Sequence, residues 1–358
     1  MRIVIPILNL SMSGGIRIAL QYAAGLADRG HQVTILIPAG FRQDYVTLPG
    51  NVFFRQMTIP PILRRSLGYV AVIIALGRAI PVCDVILAIY WQAMWSVLVG
   101  RRQGVRVFYL VQGDDAVINK GRSFLVRRRN AFLYGHIYRL PVKKIVVSSW
   151  LQRLLASKYG QSSICIPNGV DPKVFAETQP KIWTPPSENF DILCLARSVQ
   201  WKGFGDVIAA VRILLAEDSR VRLIVATREK IDLPSDLPIV LCHPESDTQL
   251  GGLYRTCSVF VFPSWMEGFG LPPLEAMACG APVVTTDCGG VNDFARHGEN
   301  CLMVPPRQPD KLAQAINCLR LDHALARRLA VGGLETASKF TMSVAVDKLE
   351  KKLLEKTE

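Results

Sequence analysis

Two glutamates, Glu267 and Glu275, bracket the stretch "EGFGLPPLE", with two glycines and two prolines between them. Upstream, "RSVQWKG" carries Arg197 and Lys202. A carboxylate in a loop can accept hydrogen bonds from sugar hydroxyls, and one near a helix start can take both hydroxyls of a ribose. Two fixed cations flanking a strand-to-helix turn can reach one diphosphate and neutralise the charge that develops on it as it departs. Singly, each has a plainer reading: Glu275 as a helix N-terminal charge, Arg197 and Lys202 as surface charge.

Glycines add to this set. Gly14 and Gly15 in "NLSMSGG" let the backbone approach a phosphate, and Gly268 and Gly270 do the same beside Glu267. Alone, "SGG" is a turn. Neither G-x-G-x-x-G nor G-x-x-x-x-G-K-[ST] occurs, so hydride transfer and P-loop phosphoryl transfer lack their usual signatures.

The elements that position these residues repeat. "RIVIPIL" reads as a strand, "NLSMSGG" as a loop, "IRIALQYAAGLADRG" as a helix ending on Gly30 and "HQVTILIP" as a second strand. The order recurs as "FDILCLAR", "SVQWKG", "FGDVIAAVRILLAED" and "VRLIVAT", and a third time from "CSVFVFPS" to "PVVTT". Strands that read as fully buried, alternating with helices, predict an α/β chain of two doubly wound domains, whose ligands sit at the carboxyl ends of the strands. The Pro- and Asn-rich stretch "PNGVDPKVFAETQPKIWTPPSEN" reads as the linker, with a boundary near residue 180.

With 358 residues, half of them apolar, the chain can bury two cores. Its nine cysteines form no C-x-x-C pair and have no histidine at metal-ligand spacing, which suits a reducing cytoplasm and small buried thiols; no metal site is expected. The apolar stretch Ile3 to Leu8 is too short for a signal peptide and fits a first strand. "LGYVAVIIALGRAI" and "VILAIYWQAMWSVLVG" are too short and too interrupted, by Arg78 and Gln92, to span a membrane. Both read as buried helices, with Trp91 and Trp95 alternatively facing an interface.

The charge is one-sided. Residues 1–150 carry +14 and the remainder −1, within a total of +13. Much of the excess lies in residues 120–144, where Arg127, Arg128, Arg129, Lys143 and Lys144 interleave with Phe124, Leu125, Phe132, Leu133, Tyr134, Ile137 and Tyr138. Such a segment suits an anionic membrane surface or a phosphate-rich acceptor; it equally suits a core helix with a solvated basic face. No nucleic acid is expected, because no helix-turn-helix, zinc-finger or RNA-binding signature surrounds it.

Taken together, "EGFGLPPLE", "SGGIRIALQYAAGLADRGHQVTIL", "SSWLQRLL", "IPNGVDPKVF", R-x4-K-G, "LYRTCSVFVFPS", "TTDCGGVND" and "GENCLMVPP" resemble the large retaining GT-B glycosyltransferase family with an E-x7-E motif, glycosyltransferase family 4 of group 1 type. The resemblance covers nearly the whole chain. It implies two Rossmann-like domains facing each other across a cleft: 1–180 on the acceptor side, with a C-terminal helix 342–358 packing back on it, and 181–341 binding a nucleotide-diphosphate sugar as co-substrate, with no cofactor and no metal. Arg197 and Lys202 would hold the donor diphosphate, Glu275 the ribose and Glu267 the transferred sugar. Backbone amides around Phe269, Gly270 and Leu271 would help, and Gly14 and Gly15 would close from the other domain. Gln112 stands where members often carry a histidine, which leaves Asp114 and Asp115 as candidates for orienting an acceptor hydroxyl, beside a capping role. In "GGVND", Asn292 or Asp293 stands in for a customary glutamate. Base selectivity is expected around Leu241 to Pro244.

The reading is thus a cytoplasmic, retaining, metal-independent glycosyltransferase, peripheral at the inner membrane face, with a lipid-linked or polysaccharide acceptor. Its rivals are a nucleotide-sugar epimerase or phosphorylase on the same architecture, and a basic non-enzymatic protein binding nucleic acid or lipid. Epimerases lack the Arg, Lys and E-x7-E combination, and phosphorylases are generally longer.

Overall fold

Short runs such as Val85–Ala88, Val259–Phe262 and Val283–Thr286 are buried along their whole length, an environment that parallel sheets covered on both faces provide. The computed structural model describes residues 1–8, 14–39, 52–58, 68–100, 103–114, 123–175, 183–184 and 188–355. Among these, seven strands form one sheet: β1 (Arg2–Pro6), β2 (Gln32–Pro38), β3 (Val52–Met57), β4 (Val85–Ala88), β5 (Arg106–Val111), β6 (Lys143–Val146) and β7 (Ile164–Cys165), in the order β3-β2-β1-β4-β5-β6-β7. Six form another: β8 (Phe190–Leu195), β9 (Val221–Ala226), β10 (Ile239–Cys242), β11 (Val259–Phe262), β12 (Val283–Thr286) and β13 (Leu302–Val304), in the order β10-β9-β8-β11-β12-β13. Every pairing is parallel. Both orders reverse direction once, between β1 and β4 and between β8 and β11, and ligands of such sheets bind at that reversal.

The chain divides into two units, Met1–Asn168 with Ala345–Glu358, and Gly169–Val344. The split falls earlier than the change of composition near residue 180, because Val170 pairs with the end of the second unit: its amide donates to the Phe340 carbonyl and its carbonyl accepts from Met342, both at 2.9 Å. Residues 176–182, inside the stretch that reads as a linker, lie outside the described residues.

In the first unit, helix Gly14–Asp28 packs Ile16, Leu20, Ala23 and Ala27 inward. The end of helix Met342–Leu354 is held by Arg29, whose Nε donates to Asp347 at 3.0 Å, and by His31, whose Nε2 lies 2.7 Å from Glu350 Oε1. The apolar run "VILAIYWQAMWSVLVG" is not one helix: β4 takes its start and helix Trp91–Gly100 its end. A continuous apolar run carries no period, so the sequence leaves strand and helix unseparated there. "LGYVAVIIALGRAI" does supply a helix, Tyr69–Ala79, which meets Trp91–Gly100 at two glycines; a Cβ on Gly100 would stand 1.9 Å from the Gly77 carbonyl oxygen.

The basic stretch does not send all of its cations to solvent. Lys143 is exposed, but Lys144 is 3% exposed, and its Nζ donates to the carbonyls of Leu140 (2.7 Å) and Val142 (3.2 Å) and to Gln161 Oε1 (2.9 Å). Burial pushes its pKa below the ordinary lysine value. Neighbouring residues of a strand face opposite ways, so only one of the two lysines of β6 reaches solvent.

In the second unit, helix Phe204–Glu217 buries Val207, Ala210, Val211 and Leu214, a helical stripe, against β8 and β9. Just before it, Gly203 holds φ +71°, and a Cβ there would stand 2.1 Å from the Pro263 carbonyl oxygen. Gly203→Ala is therefore expected to cost about 2–3 kcal/mol of stability. Gly205→Ala, in helical backbone with nothing within 4 Å of its added carbon, is expected to gain about 0.4–1 kcal/mol. Thermal or urea unfolding of the pair checks both signs.

Candidate active site

The reversal between β8 and β11 is where the second unit concentrates its chemistry. Arg197 follows β8, and Lys202 ends the short 3-10 turn Gln200–Lys202. Glu267 lies in the loop after β11, and Glu275 in the short helix Leu271–Ala278. Prolines 272 and 273 lack amide hydrogens, so the donors of this first turn are the amides around Gly270 and Leu271. No side chain caps the turn. Gly270 holds φ +89°, and a Cβ there would stand 2.4 Å from Val291 Cγ1, so the approach to the helix needs glycine. The Phe269 side chain is core, packed against Phe294 at 5.2 Å and Phe340 at 6.4 Å, which leaves its backbone to serve the site.

Both cations have carboxylate partners. Lys202 Nζ donates to Glu267 Oε1 at 2.7 Å, with both side chains largely buried. Arg197 Nε pairs with Glu229, whose other oxygen accepts from the Ser198 amide at 2.8 Å and hydroxyl at 2.7 Å. Burial opposes ionisation of Glu229, but the Ser198 amide and hydroxyl and the Arg197 guanidinium outweigh it, and its pKa lies below the usual glutamate value. Glu229 lies in the loop after β9, in "ATREK"; nothing local in the sequence marks it as the partner of Arg197.

Glu275 is 1% exposed and accepts from the buried Tyr254 hydroxyl at 3.1 Å. The carboxylate thus lies buried midway along the helix, held by a tyrosine that sequence reasoning does not single out. The loop bearing Glu267 rests on "DCGGVND": the Glu267 amide donates to Cys288 O at 2.7 Å, and the Gly290 amide to Glu267 O at 3.0 Å. Asn292 donates to Asp287 at 2.6 Å within this loop, and Asp293 ends its 3-10 turn, Gly290–Asp293. Trp265, two residues before Glu267, donates from Nε1 to Asp206 at 2.7 Å and carries Arg307 over its ring at 4.3 Å. A cavity of about 520 Å³ lies beside it, lined in part by Arg197, Ser198, Phe204, Lys230 and Trp265. At the end of β10, His243 Nδ1 lies 2.8 Å from Thr227 O, and Arg228 Nε donates to Pro244 O at 2.8 Å, which joins the loops after β9 and β10.

The first unit builds a separate group at its own reversal. Gly14 and Gly15 open the helix after β1, Tyr90 follows β4, and Gln112 follows β5. Gln112 Nε2 donates to Gly15 O at 2.9 Å, and a Cβ on Gly15 would stand 2.9 Å from the Tyr90 hydroxyl; Gly14 has open space. Asp114 lies 3.6 Å from Lys158 Nζ, and Asp115 lies outside the described residues.

Comparison with known proteins agrees with this architecture. Sucrose-phosphate synthase from Thermosynechococcus elongatus matches with a TM-score of 0.81 over 98% of each chain at 20% identity. HepE from Anabaena, solved in complex with UDP and glucose, matches at 0.73 over 99% of each chain at 18% identity. The fold is GT-B. The family model described as "Glycosyl transferase 4-like domain" matches residues 13–169, and that described as "Glycosyl transferases group 1" matches residues 189–322. D-inositol 3-phosphate glycosyltransferase from Stackebrandtia nassauensis is 31% identical over 267 residues, 68% of this chain and 56% of that protein, so the match spans about half of the relative's length. The chain belongs to the group 1 glycosyltransferases of GT-B fold.

Because the Glu229 carboxylate has a lowered pKa in the folded chain, its contribution to stability is complete above the usual glutamate range and is lost as pH falls through the lowered value. Glu229→Gln is expected to melt below the wild type at neutral pH, with the difference closing on acidification. A constant difference down to strongly acid pH would contradict the ionised pairing.

Proposed function

We propose that the protein transfers a sugar from a nucleotide-diphosphate donor to a glycan or lipid-linked acceptor, without a metal and with retention of anomeric configuration. The observation that carries the reading is the convergence of Arg197, Lys202, Glu267, Glu275 and the first turn of helix Leu271–Ala278 on one strand-order reversal. Family membership supports the reaction class.

In this reading the donor diphosphate takes Lys202 and Arg197 as counter-charges, and the amides near Gly270 and Leu271 as hydrogen-bond donors. Lys202 must then loosen its bond to Glu267, so binding of the nucleotide frees the carboxylate to accept from hydroxyls of the transferred sugar. As the bond from the anomeric carbon to the diphosphate breaks, its electron pair leaves with the diphosphate oxygen, whose charge the cations stabilise. The acceptor hydroxyl oxygen bonds the same carbon, and its proton passes to the departing diphosphate. Glu267 is given no covalent role. Glu275 takes the ribose hydroxyls once the Tyr254 bond yields. Nine free cysteines suit a reducing compartment, and no helix among the described residues is long and apolar enough to cross a membrane. The thiols of Cys194, Cys279 and Cys301 are pushed up to about 12 by burial, so they are inert in neutral solution.

The test is thermal stabilisation by UDP, GDP and ADP and their sugars. HepE was solved with UDP and glucose, which makes the uridine nucleotides the first to try. At a hundredfold excess over Kd one nucleotide is expected to add about 2.7 kcal/mol to the wild type, and Lys202→Ala and Glu275→Gln are expected to lose most of it. Glu267→Gln separates binding from chemistry: it releases Lys202, so nucleoside diphosphate binds at least as tightly, while transfer falls by about 100-fold or more. If no nucleotide stabilises the wild type, the donor site is wrong.

A further inference from the structure

The structure narrows the basic stretch to one helical face. In helix Phe124–Arg139, Asn130, Tyr134, Ile137 and Tyr138 point inward, and the orientation is fixed by Tyr138, whose ring lies 5.8 Å from Tyr109 and 4.7 Å from Tyr159. On the opposite side Phe124, Arg128, Phe132 and His136 recur every fourth residue, with Leu125 and Arg129 beside them. Phe124, Leu125 and Phe132 are 67%, 77% and 66% exposed, although burial is the ordinary fate of such side chains. Arg128 and Arg129 on this face are exposed too, and the Arg128 guanidinium lies 5.7 Å above the Phe124 ring. From residue 116 through residue 170 the sequence has ten Lys or Arg and no Asp or Glu.

We propose that this face of helix Phe124–Arg139 docks the protein on an anionic lipid bilayer, with Phe124, Leu125 and Phe132 entering the headgroup boundary and Arg128 and Arg129 meeting lipid phosphates. Charge complementarity selects the occupant. A soluble phosphate would satisfy the arginines and leave three large apolar side chains in water, whereas a bilayer satisfies both at once. The three apolar residues stand with arginines among them rather than around a dry centre, unlike the core of a protein interface. The inference deepens the proposed function by naming the surface that would bring the enzyme to a lipid-linked acceptor; it depends on that reading for the acceptor alone.

The experiment is co-sedimentation of the full chain with phosphatidylcholine vesicles and with vesicles of equal parts phosphatidylcholine and phosphatidylglycerol, at low and high salt. Partition onto the anionic vesicles alone is expected, falling as salt rises. Each arginine near an anionic surface contributes about fivefold, so R128Q/R129Q lowers partition by about 25-fold, and F124S/L125S/F132S lowers it at least tenfold at every salt concentration. Vesicles are also expected to slow amide hydrogen exchange within residues 124–139. Failure to bind anionic vesicles at low salt, equal partition of the variants, or RNA displacing the vesicles from this face would overturn the proposal. If the triple serine variant melts below the wild type, F132S alone replaces it. Nucleotide stabilisation measured on the same variants stays at the wild-type value if only the docking surface fails, and is absent from the wild type if the donor reading fails.

Discussion

The second unit depends on backbone meeting backbone where no methyl group fits. Gly203 lies against the Pro263 carbonyl, and Gly290 lies over the Gly268–Phe269 peptide, where an added Cβ would come within 2.1 Å of an oxygen. These two approaches press the loop after β8 and the loop after β12 onto the loop after β11. Arg197 and Lys202 come from the first of these loops and Glu267 from the last, so the cations and the carboxylate are set by packing of rigid main chain rather than by long side chains reaching across space. Trp265 reinforces the arrangement, hydrogen-bonded from its backbone amide to Trp201 O at 2.8 Å and from its ring to Asp206. Such a site costs little reorganisation when a ligand arrives.

Its electrostatics are those of a balanced set. Lys202 and Arg197 each hold a carboxylate, Glu267 and Glu229, so the two cations do not stand as bare positive charge. The two partners differ in kind. Glu229 is tied down by Ser198 as well as by Arg197, and belongs to the framework. Glu267 contributes its backbone to the fold through Cys288 and Gly290, while its side chain accepts from the lysine. An anion that takes over Lys202 leaves Glu229 in place and gives Glu267 a new task.

Much of this is visible in the sequence because it follows from local pattern. The repeated strand, turn and helix, the R-x4-K-G turn and the proline-started helix between two glutamates each lie within a few residues, and each appears in the structure as an element or an element boundary. What the sequence leaves out joins residues far apart in the chain or depends on which way a side chain turns. Glu229 meets Arg197 across two neighbouring strand ends, and Tyr254 meets Glu275 from the preceding helix. Lys143 and Lys144 read alike as letters, yet adjacent places on β6 send one to solvent and the other to three carbonyl-type acceptors. Gln112 likewise reads as a departure in an acceptor loop, whereas its amide fastens the start of the glycine-opened helix.

The first unit is built from two pieces of chain, Met1–Asn168 and Ala345–Glu358, with the whole of the second unit between them. A ribosome therefore delivers residues 169–344 before Asp347, Glu350 and Leu353 can reach Arg29, His31 and Arg106. The second unit, continuous in sequence, can close its core as it emerges, while the first waits with part of its surface uncovered, the reverse of the usual N-terminal-first order. A lesion between Ala345 and Leu354 would then injure the unit whose larger piece was made first.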